Sequence, residues 1–310
     1  MPKICYKDNN FQPKSQMLIM RCNEIIAEYT KQRLKLTLRQ LYYQLVSRDV
    51  IPNKQASYNN LGNLVNDARL AGLIDWDAIE DRTRALRTIA HWETPEDILY
   101  SCEQAFRLDK WKDQTYRCEV WVEKEALAGV IARAANSLDV PYFSCRGYTS
   151  QSEMWGAAMR FVEYFENGQQ PYIIHLGDHD PSGIDMSRDI EERINMFMQR
   201  HIPNSDVTFK RIALNMDQVR EYEPPPNPAK STDTRFQAYA DAFGDESWEL
   251  DALEPTVLDT MIKEAIEEVI EQDKFDALFE EENQHRAQLK TVADRWNDVV
   301  EFVNNPPETD

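Results

Sequence analysis

No run of eighteen apolar residues occurs in the 310-residue chain, which argues against a transmembrane helix. The opening residues, Met1 to Asp8, lack the apolar segment of a signal peptide. Glycine is scarce at nine residues, and neither an internal repeat nor a low-complexity segment is found, so a well-packed, helix-rich protein is expected. The five cysteines, Cys5, Cys22, Cys102, Cys118 and Cys145, are odd in number, scattered, and show no metal-ligand spacing. They read as reduced packing thiols of a cytoplasmic protein. An ATPase-type nucleotide-binding motif is also missing, so any ATP-driven step needs another chain.

What the chain has in excess is negative charge, −19 overall, which opposes phosphate binding if spread evenly. It is not spread evenly. Residues 1–49 carry nine Lys or Arg against four acids, a balance of +5, whereas residues 243–310 carry five against twenty, a balance of −15. A basic working face and an acidic tail region fit that asymmetry, although the acidic end also reads as a solvated helical face.

Apolar positions recur at helical spacing through Met17, Ile19, Met20, Ile25, Ile26 and Tyr29, and again through Leu38, Leu41, Tyr42 and Leu45, with Thr37 placed to cap the second helix. A third helix is expected from Ser57 to Ala71, ended by Gly72. Leu73-Ile74-Asp75-Trp76 then reads as a short extended wing, giving a winged-helix unit over residues 1–90. Residues 91–116 read as a connector with helical patches. From 117 to 214 short apolar strands (118–122, 140–144, 172–176, 207–214) alternate with helices (124–137, 151–166, 184–200), which predicts a parallel sheet covered on both faces. Residues 215–310 form a helical C-terminal region, where Val257, Leu258, Met261, Ile262, Ala265, Ile266, Val269 and Ile270 make an apolar stripe for core or dimer packing. The fold class is therefore α/β with mainly α flanks.

Ligands of a parallel sheet collect at the carboxyl ends of its strands. Glu123 follows the strand Val120-Trp121-Val122, and Asp178 and Asp180 follow Ile173-Ile174-His175-Leu176. In an extended segment residues 178 and 180 point the same way, so two carboxylates converge. Uncompensated, they repel; a hard divalent cation such as Mg²⁺ stabilises both. Asp, Pro, Ser and Gly are also ordinary turn formers, so Gly177 to Gly183 alone equally describes a polar turn. A glutamate at a second strand end makes the coincidence harder to dismiss. His179, between the aspartates, is expected to point the other way and be structural, and His175 to be a satisfied core histidine.

Val122-Glu123-Lys124-Glu125, Cys145-Arg146-Gly147-Tyr148 and Gly177-Asp178-His179-Asp180-Pro181-Ser182-Gly183-Ile184-Asp185 resemble, in order and spacing, the Toprim domain of the topoisomerase VI A subunit and its relative, the meiotic double-strand-break transesterase. Arg146 stands where that family has lysine, Thr149 where it has proline, and His179 where it has a small residue. The resemblance implies that Glu123, Asp178 and Asp180 hold Mg²⁺ (or Mn²⁺), with Asp185 close by. Upstream, Thr37-Leu38-Arg39-Gln40-Leu41-Tyr42-Tyr43 resembles the family's nucleophile motif and maps the attacking tyrosine to Tyr43. Arg39 is four residues before it, on the same helix face, where a guanidinium can clamp a phosphate and favour the phenolate. Arg69, Lys124 and Arg146 are further candidates for DNA contact. The chain is shorter than a usual A subunit and is similar to small stand-alone relatives of phages and mobile elements.

The function implied is Mg²⁺-dependent cleavage of double-stranded DNA by transesterification, Tyr43 forming a phosphotyrosyl link. It implies a homodimer in which the tyrosine of one subunit meets the metal site of the other, because the two domains lie far apart within one chain, and leaves room for a separate ATPase B-type subunit. The alternatives are a Toprim nuclease that cuts with metal-activated water, and a DNA-binding protein with a vestigial Toprim site.

Overall fold

The computed structural model describes residues 3–32, 35–79 and 89–305. Helices α1 (Pro13–Lys31), α2 (Leu38–Ser47) and α3 (Gln55–Leu70) open the chain. Thr37 begins α2 with a capping box. Its hydroxyl accepts from the Gln40 amide at 3.2 Å while the Gln40 side chain accepts from the Thr37 amide at 2.8 Å, satisfying two orphan donors of the first turn. Ile25, Leu41, Leu45, Leu61 and Val65 close one apolar cluster between the three helices. The expected wing is not a strand pair: Leu73 to Trp76 are turn and bend, because the Leu73 and Ile74 amides both bond back to the Ala68 carbonyl. Gly72 makes that reversal at φ +70°, and a Cβ there would press on the Cys5 backbone amide. Two single bridges, Cys5 to Ala71 and Leu36 to Ile79, are the β pairing among the described residues of this segment.

Next come α4 (Pro95–Ala105), β1 (Tyr116–Val122), α5 (Ala128–Ser137), β2 (Tyr142–Ser144), α6 (Gln151–Glu166), β3 (Gln170–Leu176), α7 (Pro181–His201) and β4 (Thr208–Ala213). The strands form one four-stranded parallel sheet in the order β2-β1-β3-β4, flanked by helices. Its apolar strands are buried on both faces, as a parallel sheet demands: β1 is buried from Cys118 and β3 from Pro171. Beyond it lie α8 (Met216–Tyr222), a ribbon of β5 (Asn227–Pro228) and β6 (Glu246–Ser247) around α9 (Phe236–Phe243), then α10 (Pro255–Glu267), α11 (Gln272–Asp294) and α12 (Trp296–Asn304).

The chain divides into two units by its internal contacts, and not in the sequential order expected. Residues 1–84 and 118–268 make one unit, and residues 85–117 and 269–310 the other. The segment read as a connector belongs with the chain's end because α4 packs along α11 and the buried Glu282 carboxylate takes the Leu108 amide at 2.7 Å and the Lys110 ammonium. The apolar stripe of α10 is core packing. Leu258, Ile262, Ala265 and Ile266 are buried, and α10 packs on α5, β3 and β4 of its own chain, so this stripe does not provide a dimer face. No helix among the described residues is long and apolar enough to cross a membrane.

Candidate functional site

Glu123, Asp178 and Asp180 do fall at neighbouring strand ends, those of β1 and β3. The Asp178 amide donates to Glu123 Oε2 at 2.9 Å, tying the two strand ends together. Asp180 caps α7, accepting from the Gly183 amide at 2.6 Å and the Ser182 hydroxyl at 2.9 Å, which is what a helix start asks of an aspartate. The buried Asp178 carboxylate turns elsewhere: it accepts from the Leu250 amide at 2.8 Å and pairs with the Lys124 ammonium at 2.8 Å. Burial, the Glu123 charge and the nearby Glu249 and Asp251 push the Asp178 carboxyl well above the usual range, with Lys124 opposing. Glu123 is likewise raised, by burial first and by the Asp180 charge among lesser causes. No set of three His, Cys, Asp or Glu side chains is gathered as a ready metal cage among the described residues.

Two glycines hold the acidic turn close. A Cβ on Gly183 would run into the Asp178 carbonyl and come within 3.1 Å of Glu123 Oε2, and one on Gly177 would sit 3.1 Å from Glu123, His175 and Arg211 atoms. Gly183→Ala is therefore expected to lower stability by about 1–3 kcal/mol in thermal unfolding. Gly156→Ala, on α6 where a Cβ meets nothing within 4 Å, is expected to raise it by about 0.5–1 kcal/mol. Equal effects from the two would mean that the turn is not close-packed.

Arg211 on β4, which the sequence reading passed over, braces this turn from below. Its guanidinium donates to the carbonyls of Gly183 (3.1 Å), Gly177 (3.0 Å), Asp178 (2.7 Å) and Leu214 (3.2 Å) and to the Ser187 hydroxyl (2.5 Å). Burial lowers its pKa to about 10, and Glu123, Asp178 and Asp180 act in the opposite sense. The histidines are structural in their contacts. His175 meets the Ser187 hydroxyl at 3.1 Å, and His179 meets Tyr239 Oη at 2.8 Å while its backbone pairs with Trp248. Burial depresses both, to about 3 and about 4.

The tyrosine helix meets the same place through a segment that the sequence left unassigned. Residues 246–253 run past His179, and the short helical turn Leu250–Ala252 packs on α2. Glu249 and Asp251 thereby reach both Arg39 and Lys124. Arg39 pairs with Glu249 at 2.9 Å and with Asp251, whose side chain is 0% exposed; Lys124 pairs with Glu249 and, at 3.3 Å, with Asp251. Tyr43 is buried beneath Arg39, its hydroxyl 3.5 Å from the guanidinium and its ring 5.4 Å from Cζ. Burial, Glu249 and Asp251 together raise the Tyr43 pKa, and Arg39 and Lys124 only partly offset them. The guanidinium expected to favour the phenolate is thus held by two carboxylates. The Tyr42 hydroxyl, by contrast, is fully used, bonded to Asn53 Oδ1 at 3.0 Å and to the Lys54 amide at 2.9 Å.

Tyr43, Arg39, Asp180 and Glu249 line one cavity of about 360 Å³ within a single chain. The wide intrachain separation expected between tyrosine and carboxylates is absent, because residues 246–253 bridge them. Comparison of the chain with protein-family models, with curated proteins and with solved structures gives no match.

The remaining candidates lie outside that cavity's lining. The Arg69 guanidinium is spent on the carbonyls of Trp76 and Ile79 and lies over the Trp76 ring, which is a bracing role. Arg146 is 72% exposed and pairs with Glu125 at 3.1 Å. Asp185 is bound by Tyr148, Arg188 and Arg235, which together outweigh its burial and hold it down at about 2, so its carboxylate serves that surface cluster. All five cysteines are free thiols.

Proposed function

We propose that the chain cleaves DNA by metal-dependent transesterification at the cavity shared by Tyr43 and Asp180, in a Toprim-like α/β domain preceded by a helical domain related to winged helices. The observation that carries the reading is the meeting, inside one chain, of the motif tyrosine, the motif arginine and the motif aspartate around one cavity. In the reaction the Tyr43 oxygen bonds to phosphorus as the bond from phosphorus to a deoxyribose oxygen breaks; the phenol loses a proton and the leaving oxygen gains one. Phosphodiester energy is kept in the phosphotyrosine, so the cut can be resealed.

Charge supports a divalent cation here. Glu123, Asp178, Asp180, Glu249 and Asp251 face Arg39, Lys124 and Arg211, five carboxylates against three cations. Hard oxygens with an excess of two negative charges suit Mg²⁺ or Mn²⁺, which would supply charge stabilisation at the phosphate when bound. Glu123 Oε1 and Asp180 Oδ2 accept no hydrogen bond among the described residues, whereas Asp178 shares its oxygens with Lys124 and the Leu250 amide. Glu123 and Asp180 are therefore the first ligands proposed and Asp178 the third. Calorimetric titration is expected to show Mg²⁺ binding that is lost in the Asp178→Ala, Asp180→Ala double variant; unchanged affinity would remove the metal from the account.

Arg39 and Lys124 are the phosphate clamps of this reading, and in the arrangement seen Glu249 and Asp251 hold both. A phosphate must displace those carboxylates, and doing so removes two of the charges that keep Tyr43 protonated. Lys7, Lys14, Lys31 and Lys35 form no ion pair among the described residues and can meet DNA phosphates. A homodimer and a separate ATPase subunit belong to the same proposal, on the resemblance alone. The raised Tyr43 pKa favours a second reading, a Toprim nuclease in which metal-activated water makes the cut.

A further inference from the structure

The cavity beside Tyr43 has a second chemistry besides its carboxylates. Lys54 and Lys230 line it, both exposed, and neither forms an ion pair among the described residues. That is unusual for this chain, where acids outnumber bases 54 to 35 and the nearby cations Arg39 and Lys124 are each held by more than one carboxylate. Between them lies an aromatic wall. Tyr58 is half-buried, stands edge-on to Tyr42 with ring centroids 5.3 Å apart, and its hydroxyl bonds to no protein group among the described residues. Free ammonium groups beside exposed ring surface are what a nucleotide needs, a cation for its phosphate and an aromatic group for its base.

Size decides which form of nucleic acid fits. A volume of about 360 Å³ lies at the lower end of the range for small-ligand pockets and accommodates one nucleotide, not the width of a duplex. We propose that this cavity takes a single unpaired nucleotide of a DNA strand, its phosphate drawn by Lys54 and Lys230 and its base set against Tyr58. The inference rests on the reading of Tyr43 and Asp180 as one nucleic-acid site, and names what that site holds: a strand opened or frayed next to the scissile phosphate. Asp180 and Glu249 repel a phosphate from their own wall when no cation intervenes, so in metal-free solution the two lysines are the groups of the cavity that attract one.

The test is fluorescence anisotropy of the full chain in chelator, where cleavage cannot occur, with labelled oligothymidylate and with a duplex of the same length. The single strand is expected to bind more tightly than the duplex. Lys54→Ala with Lys230→Ala is expected to weaken strand binding by on the order of tenfold and to make its salt dependence shallower by about 1.4 in log–log slope. Tyr58→Ala is expected to weaken the strand by on the order of tenfold with the slope unchanged. Duplex bound as tightly as single strand, or a lysine double variant with unaltered affinity and slope, would overturn the inference. Strand binding that behaves as expected in chelator, from a protein that neither binds Mg²⁺ nor cuts DNA, would overturn the transesterase reading and leave the nucleotide site standing.

Discussion

Tyr43→Phe is expected to abolish DNA cleavage in Mg²⁺ while leaving the folded chain as stable as the parent to within about 1 kcal/mol. The hydroxyl it removes makes one long contact, 3.5 Å from Arg39, and the ring that fills the core is kept. Tyr42→Phe is expected to behave in the opposite way. Its hydroxyl bonds Asn53 and the Lys54 amide, so its loss is expected to cost about 1–3 kcal/mol, while cleavage persists at a rate within a few-fold of the parent. The two neighbours differ by one oxygen each, and thermal unfolding run beside a cleavage assay reads both effects. Cleavage lost in Tyr42→Phe and kept in Tyr43→Phe would mean that the motif is aligned one residue out. Cleavage kept in both would leave the water-using nuclease.

The largest expected effect on stability belongs to Arg211→Met. The variant removes the donor to four carbonyls and a hydroxyl in a buried place, and with it the positive charge that offsets Glu123, Asp178 and Asp180. Leaving such groups unpaired is expected to cost about 3–5 kcal/mol, and so to lower the melting temperature by on the order of 10 °C. Arg211→Lys is expected to recover little of this, because an ammonium on a single stem cannot fork to the Gly177, Asp178 and Gly183 carbonyls together. A lysine variant that melts with the parent would show that charge alone, and not the fork, holds the acidic turn.

The elements of the sheet were legible because their signals are local. Period-two and continuous apolar runs gave β1, β3 and β4, the helix from Gln151 to Glu166 was expected over the residues it occupies, and Thr37 announced α2 through its capping chemistry. The wing was misread because Leu73-Ile74-Asp75-Trp76 has the composition of a strand while its amides are claimed by the end of α3. The division into two units was also beyond local reading. It depends on Glu282 meeting Leu108 and Lys110 across more than 170 residues, and pairing at that separation leaves no periodicity.

For the site, the carboxylates at strand ends could be read, and the partners that decide their chemistry could not. A lone arginine in the apolar strand Thr208–Ala213 was the available sign of Arg211. The alternation of acid and apolar residues at Glu249-Leu250-Asp251 was the available sign of the segment that ties Arg39 to Lys124. Each is a buried charge in an otherwise apolar stretch, a pattern that requires a partner somewhere in the fold. The intrachain distance expected between Tyr43 and the aspartates failed for the same reason, since the bridge between them comes from a third part of the chain.

The central claim is that Tyr43 becomes joined to DNA, and one measurement addresses it directly. Supercoiled DNA is incubated with the protein and Mg²⁺, the reaction is stopped with detergent, and the cut ends are analysed for attached peptide by mass spectrometry after proteolysis. The account predicts a deoxynucleotide linked through phosphate to the peptide that carries Tyr43. Cut DNA whose ends carry no peptide, or DNA left intact at every metal concentration, would contradict it.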